Sequence, residues 1–238
     1  MGVLNVTPDS FSDGGQFIAP ERALAQARRM IAEGADIIDI GAESTRPYGA
    51  QPIPVEEEQK RLEPVLAAVV ALGVPVSIDS MKSAVVAWAL DAGAVIANDV
   101  WGLQRDGGMA ALVAQHRSPI VIMHNRDEAD ATIDIMKDIA AFFERSLAIA
   151  AKAGVPPENI VLDPGIGFGK TMELNWQLLS FTAQVPEHQV MVGYSRKRFL
   201  GEHRMVLEPN LDAGEIAIKN GAAYLRVHDV AGHRQLKS

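Results

Sequence analysis

The sequence contains no cysteine. That excludes disulfides, thiolate zinc sites and a cysteine nucleophile, and it fits a reducing compartment. No apolar run approaches the roughly 20 residues needed to span a bilayer. Residues 1–8 lack the basic and apolar regions of a secretion signal, so the cytoplasm is the expected compartment. Positive charge is not in surplus. Against 22 Lys and Arg stand 30 Asp and Glu, for a net charge of −8. A nucleic-acid binder needs a concentrated positive face, and this balance argues against one. It leaves room for a local basic pocket that takes a small anion. Linkers, low-complexity tracts, charge blocks and short-period repeats are also missing. One domain of 238 residues is therefore the simplest organisation, and a chain of that length buries a substantial core without disulfides or metals.

What is present is alternation. Short apolar runs rich in Val and Ile fall at 3–5, 37–40, 74–79, 94–99, 120–124, 160–163, 190–193 and 224–227. They are nearly continuous rather than alternating, as expected of strands covered on both faces. Helical patterns separate them. Residues 21–33 place Leu24, Ala27, Met30 and Ile31 on one stripe, and residues 56–72 do so with Leu62, Val65, Leu66 and Val69. Glycine follows each of these helices, as it does 82–92 and 135–153, which is the usual stop signal. Strand–helix alternation implies parallel βαβ units. Eight such runs favour an α/β fold of the (β/α)₈ TIM-barrel type over an open doubly wound sheet. Both ends read as short, so part of the first strand and much of the last helix are expected to be missing.

The chemistry is expected where the runs end, because all strand ends of a parallel barrel emerge on one face. Asn5 ends the first run. Asp39 leads to Glu43, Ser44, Thr45 and Arg46. Asp79 ends the third run, Asn98 and Asp99 the fourth, His124 and Asn125 the fifth, and Asp163 the sixth. Ser195, Arg196 and Lys197 follow the seventh, while Arg226, His228 and Asp229 belong to the eighth. One such aspartate is commonly only a turn or helix cap; polar groups after every run point to a functional face. The loop 5–15 is long, polar and placed like a lid. Its Asn5-Val6-Thr7 sequon is discounted in the absence of a secretion signal.

The stretch Asp163-Pro-Gly-Ile-Gly-Phe-Gly-Lys170 imitates two nucleotide motifs and satisfies neither. A P-loop needs glycine at 164, which is proline. A dinucleotide fingerprint needs glycine at 170, which is lysine. Its glycines suggest close backbone approach to a ligand, and Asp163 is suited to accept the paired N–H donors of an aminopyrimidine edge. The cluster Ser195-Arg-Lys-Arg198 reads as the opening of a helix that holds an anion. Arg226 and His228, two residues apart, point to one side of their strand and read as a phosphate clamp.

These motifs resemble the dihydropteroate synthases. Gly2-Val-Leu-Asn-Val-Thr-Pro-Asp-Ser-Phe-Ser-Asp-Gly-Gly15 is similar to the family's first signature and Asp39-Ile-Gly-Ala-Glu-Ser-Thr-Arg-Pro47 to its second. Asp79-Ser80, Asn98-Asp99, Asp163 to Phe168, Ser195-Arg-Lys197 and Arg226-Val-His-Asp229 follow in the family's order, over nearly the whole chain. The resemblance implies condensation of a dihydropterin diphosphate with p-aminobenzoate in folate biosynthesis and a homodimer; sulfonamides act on the family as benzoate mimics. It implies a pterin pocket of Asp79, Asn98, Asp163 and Lys197, lined by Met123 and Gly193. It implies that Asn5 holds Mg²⁺ on the diphosphate, with Thr45, Arg226 and His228 as further diphosphate contacts. Phe11, Arg46, Pro47, Phe168 and Ser195 would form the p-aminobenzoate site, and residues 7–15 and 44–49 two mobile loops. Asn5, Lys197, Arg226 and His228 are the implied catalytic set.

Three places depart from the commonest family pattern. Tyr48 separates Pro47 from Gly49, Arg198 replaces a frequent serine, and Asn125-Arg126 follows Met123-His124. The runner-up reading is a methyltetrahydrofolate-dependent methyltransferase, which would need no diphosphate clamp. A third is an inactive barrel kept as a scaffold.

Overall fold

The computed structural model describes residues 1–7, 15–44 and 52–236. Eight parallel strands lie in sequence order: β1 Gly2–Asn5, β2 Ile38–Gly41, β3 Val76–Asp79, β4 Ile96–Asp99, β5 Ile120–Met123, β6 Ile160–Asp163, β7 Gln189–Val192 and β8 Tyr224–Leu225. Closure is made by backbone. The Val3 N–H donates to the Val227 carbonyl at 3.0 Å, and the Val227 N–H donates to that of Met1 at 3.0 Å. Residues Gly2 and Val227 form the bridge between the last strand and the first. The sheet is thus a closed (β/α)₈ barrel, and the open doubly wound alternative falls.

The strands that make up the barrel wall are short, two to four residues each. Ile38, Ile40, Ile78, Ile120, Ile122, Val190 and Val192 are fully buried, which accounts for runs without polar alternation. The helices cover the outside. On α2 (Val55–Val70) the expected stripe Leu62, Val65, Leu66 and Val69 is buried, worth about 1.5–3 kcal/mol for each large side chain removed from water. The longest helix, α5 (Ile135–Ala153), starts where the Asp134 side chain accepts the Lys137 N–H, and it ends at Gly154 in the left-handed region, the stop its sequence predicts.

Several boundaries differ from the sequence reading. Helix α1 spans Gly15–Ala32 and carries Pro20 inside it, where proline reads as a break. Helix α3 is Ser83–Asp91. Helices α4 (Met109–His116), α6 (Met172–Gln177) and α7 (Leu207–Lys219) add to those named from the sequence. The basic cluster 196–198 does not open an α-helix. Only a three-residue 3₁₀ turn, Arg198–Leu200, follows it, and α7 begins later. After β8 the described chain forms the single-turn α8 (Val230–His233) and a 3₁₀ turn.

Candidate active site

A small polar cavity opens at the carboxyl ends of the strands. It is lined by Asp79, Asn98, Val100, Met123, Asp163, Phe168, Gly193, Lys197 and Arg226. These residues come from the ends of β3 to β8, so parallel topology alone brings them together. A larger, mostly apolar groove lies at the opposite end, beside Gly34–Ile37 and Ala222–Leu225. It carries no comparable convergence of polar groups, so the chemistry belongs to the smaller cavity.

Ion pairing orders the cavity floor. The Arg226 Nε donates to Asp39 Oδ2 at 2.6 Å, and its Nη2 donates to Asp79 Oδ2 at 2.7 Å. Asn98 Nδ2 also donates to Asp39, at 3.2 Å. Asp39 is fully buried and acts as the hub. Its sequence signal is a carboxylate inside an apolar run. Burial pushes the Asp79 carboxyl up to about 7, against the pull of Arg226. Its Oδ1 is buried and has no hydrogen-bond partner. A buried acceptor without a donor is uncommon and marks a place for a ligand N–H.

The wall facing this floor is the loop after β6. Asp163 Oδ1 accepts the Gly165 N–H at 2.7 Å, and burial raises the Asp163 pKa. Lys197 Nζ donates to the Ile166 carbonyl at 2.5 Å and lies 4.8 Å from the centre of the Phe168 ring. Burial lowers the Lys197 ammonium to about 8, opposed by Asp163 and Asp79. Two carboxylates, Asp79 and Asp163, and two cations, Lys197 and Arg226, thus share the cavity: a surface that accepts N–H donors on one side and holds negative charge or a π face on the other.

A family model described as pterin binding enzyme matches residues 1–228. A dihydropteroate synthase of Bacillus subtilis strain 168 is 44% identical over 240 residues, covering 97% of this chain and 83% of the relative. The chain belongs to the dihydropteroate synthase family. Solved structures agree. A dihydropteroate synthase from Clostridium difficile, determined in the presence of pteroic acid, superposes with a TM-score of 0.93 at 40% identity, covering 99% of this chain and 92% of that one. One from Xanthomonas albilineans with 4-aminobenzoic acid gives 0.91 at 41% identity, with 99% and 89% covered.

Of the residues expected for a dihydropteroate synthase site, Asp79, Asn98, Met123, Asp163, Phe168, Gly193, Lys197 and Arg226 line one cavity. Ser195 and His228 meet beside it. The Ser195 Oγ accepts the His228 backbone N–H at 3.2 Å and lies 3.1 Å from Nδ1. Asn5 ends β1 with an exposed side chain. Thr45, Arg46, Pro47 and Phe11, and with them most of the two expected loops, lie outside the described residues. Among the described residues, no three His, Asp or Glu side chains converge as a metal site. The exposed amide oxygen of Asn5 at the end of β1 is a donor of the kind that fits Mg²⁺, which commonly takes one or two protein oxygens along with water and substrate oxygens.

Other strand-end polar groups serve the scaffold. Asp99 accepts the N–H groups of Trp101 and Leu103 at 2.9 and 2.7 Å; burial lifts it to about 6. His124 Nε2 lies 3.0 Å from Asp138 Oδ2. Lys82 joins the buried carboxylates of Glu43 and Glu58. For Asp99 the plain reading is the correct one: it ties a turn, and α4 begins only at Met109.

The β6 loop tolerates little. Gly165 has φ +69, and a Cβ there would overlap the His124 carbonyl oxygen. Gly165→Ala combines left-handed strain with a backbone clash, so about 2–4 kcal/mol of stability should be lost. Chemical denaturation of the variant checks this, and an unchanged midpoint contradicts it.

Proposed function

We propose that this chain condenses 7,8-dihydropterin-6-ylmethyl diphosphate with p-aminobenzoate, giving 7,8-dihydropteroate and pyrophosphate in folate biosynthesis. The observation that carries the reading is the buried cavity with an unpartnered Asp79 oxygen facing Asp163 and Lys197. Asp163, Asn98 and Asp79 take the N–H and carbonyl edge of the pterin, with Met123 and Gly193 along its faces. Lys197 serves a ring acceptor. Arg226, His228 and Thr45 meet the diphosphate. Phe168, Ser195, Phe11, Arg46 and Pro47 bind the aromatic amine.

The C–O bond between the pterin methylene and the diphosphate breaks, and the electron pair leaves with pyrophosphate. The aromatic amine forms the new C–N bond and gives up a proton. No strong general base is required, because the electron-rich dihydropterin supports the cationic methylene. This chain's residues position the two substrates and meet charge on the leaving group. Asn5 would hold Mg²⁺, which supplies charge neutralisation on the diphosphate when bound.

The whole chain is read as one barrel domain and as one half of a homodimer. Met172, Trp176, Met205 and Val206 are exposed apolar side chains at α6 and just before α7, a surface suited to a second copy. No helix among the described residues is long and apolar enough to cross a membrane, and the cytoplasm is the compartment proposed.

The test is pyrophosphate release from the dihydropterin diphosphate, with and without p-aminobenzoate and Mg²⁺. Release that needs all three components is the expected result. Pterin binding without release would favour the methyltransferase or the inactive scaffold instead.

A further inference from the structure

Lys170 is a buried cation with no carboxylate bonded to it among the described residues. Its ammonium is spent on backbone. Nζ donates to the Gly165 and Phe168 carbonyls, each at 2.8 Å, and approaches that of His124 at 3.5 Å. The Phe168 N–H in turn donates to the Gly165 carbonyl at 3.1 Å. Residues 165–168 therefore form a turn whose two ends are gripped by one side chain, itself leaning on the end of β5. Close packing leaves the turn no other place: Gly169, at φ +59, lies against the Arg126 backbone. The product of this arrangement is the Phe168 ring, half-buried at the cavity beside Lys197.

A solvated lysine would cost nothing, whereas a buried one is uncommon unless its three donors are needed. Burial pushes the Lys170 ammonium down to about 7, so the fold holds it at a disadvantage. A hydrocarbon of similar length would fill the space without that cost, but it would take a donor away from the Gly165 and Phe168 carbonyls.

We propose that Lys170 is a positioning residue for the reaction: it caps the 165–168 turn and thereby sets the Phe168 ring for the aromatic amine substrate. The inference rests on the synthase reading above. Lys170 touches neither substrate. Its effect reaches the reaction through Phe168, which separates it from a residue that merely supports the fold.

A double-mutant cycle on kcat/KM for p-aminobenzoate tests this, using Lys170→Met, Phe168→Ala and the pair. Lys170→Met should lower kcat/KM by about tenfold or more, and the double variant should fall no further than Phe168→Ala alone. Multiplied losses, or a Lys170→Met loss under about twofold, would overturn the proposal, since either means that Lys170 does not act through Phe168. If the methionine variant does not fold, Lys170→Gln, with N–H donors on a shorter stem, enters the same cycle with the same two readings. Wild-type pyrophosphate release is followed alongside. Its absence would overturn the synthase reading and this inference together, whereas release with multiplied losses overturns only the inference.

Discussion

Arg226→Met should lower turnover by about 10²–10³-fold and cost about 3–5 kcal/mol of stability. Both effects come from the same contacts. The guanidinium bridges Asp39 and Asp79 at 2.6 and 2.7 Å, in a floor where Asp39 is fully buried. Methionine fills the space but leaves the Asp39 and Asp79 carboxylates facing each other with no cation among the described residues bonded to either. Removing one partner of a buried pair is far worse than never having built it, because the remaining charge stays desolvated.

The pH dependence follows. In the wild type the Asp79 carboxyl sits at about 7, above its ordinary value, because burial outweighs the pull of Arg226. A carboxyl raised in the folded state contributes stability that is present at low pH and lost as pH rises through the folded pKa. Without Arg226 that pKa rises further, so the variant should regain stability as the pH is lowered from about 8 towards 5.5. Thermal melts at the two ends of that range measure this, and a stability deficit that does not depend on pH would contradict it. Turnover and pterin affinity should also separate. If Arg226 meets the leaving diphosphate, turnover falls much more than affinity for a pterin that lacks the diphosphate. Equal falls would reassign it to holding Asp79 alone.

Asp163→Asn should weaken pterin binding by about 10²–10³-fold, the equivalent of roughly 3–4 kcal/mol, with little change in melting temperature. The substitution is nearly isosteric. The amide oxygen of the variant can still accept the Gly165 N–H, now taken at 2.7 Å, so the loop is retained. The other oxygen becomes an NH₂, and donors would face donors across the pterin edge. A lost charge-assisted hydrogen bond and an unsatisfied buried donor together give about that magnitude. Lys197 loses its opposite charge as well, so burial depresses the ammonium below about 8. Calorimetric titration with a pterin checks the prediction; wild-type affinity in the Asp163→Asn variant would remove Asp163 from the pterin pocket. Protonation imitates the substitution, so wild-type affinity should fall as pH drops through the raised Asp163 pKa, and the two proteins should converge.

Much of this site was legible because strand ends are legible. Asp79, Asn98 and Asp163 each follow a Val- and Ile-rich run, and parallel connectivity forces such ends onto one face. Asp39 was harder to read. It ends no run, and its role depends on Arg226, far away in sequence. Lys170 was hidden differently: next to Gly169 it imitates a phosphate-binding lysine, while the structure turns its ammonium onto three carbonyls. The cluster 196–198 misled for lack of distance information. Cations before apolar residues look like a helix start, but a single 3₁₀ turn follows.

By itself the sequence determined a parallel α/β fold of eight strand–helix units, the face on which chemistry occurs and the polar residues delivered there. Those follow from side-chain periodicity and chain direction, which are local properties. Only the tertiary structure decided closure, through the backbone bonds between β8 and β1, and the partners of each charge. Whether Arg226 faces carboxylates, or Asp99 faces backbone N–H groups, depends on distances between segments remote in the chain. Electrostatic pairing in a desolvated interior changes steeply over a few ångströms, and no spacing along a sequence encodes that.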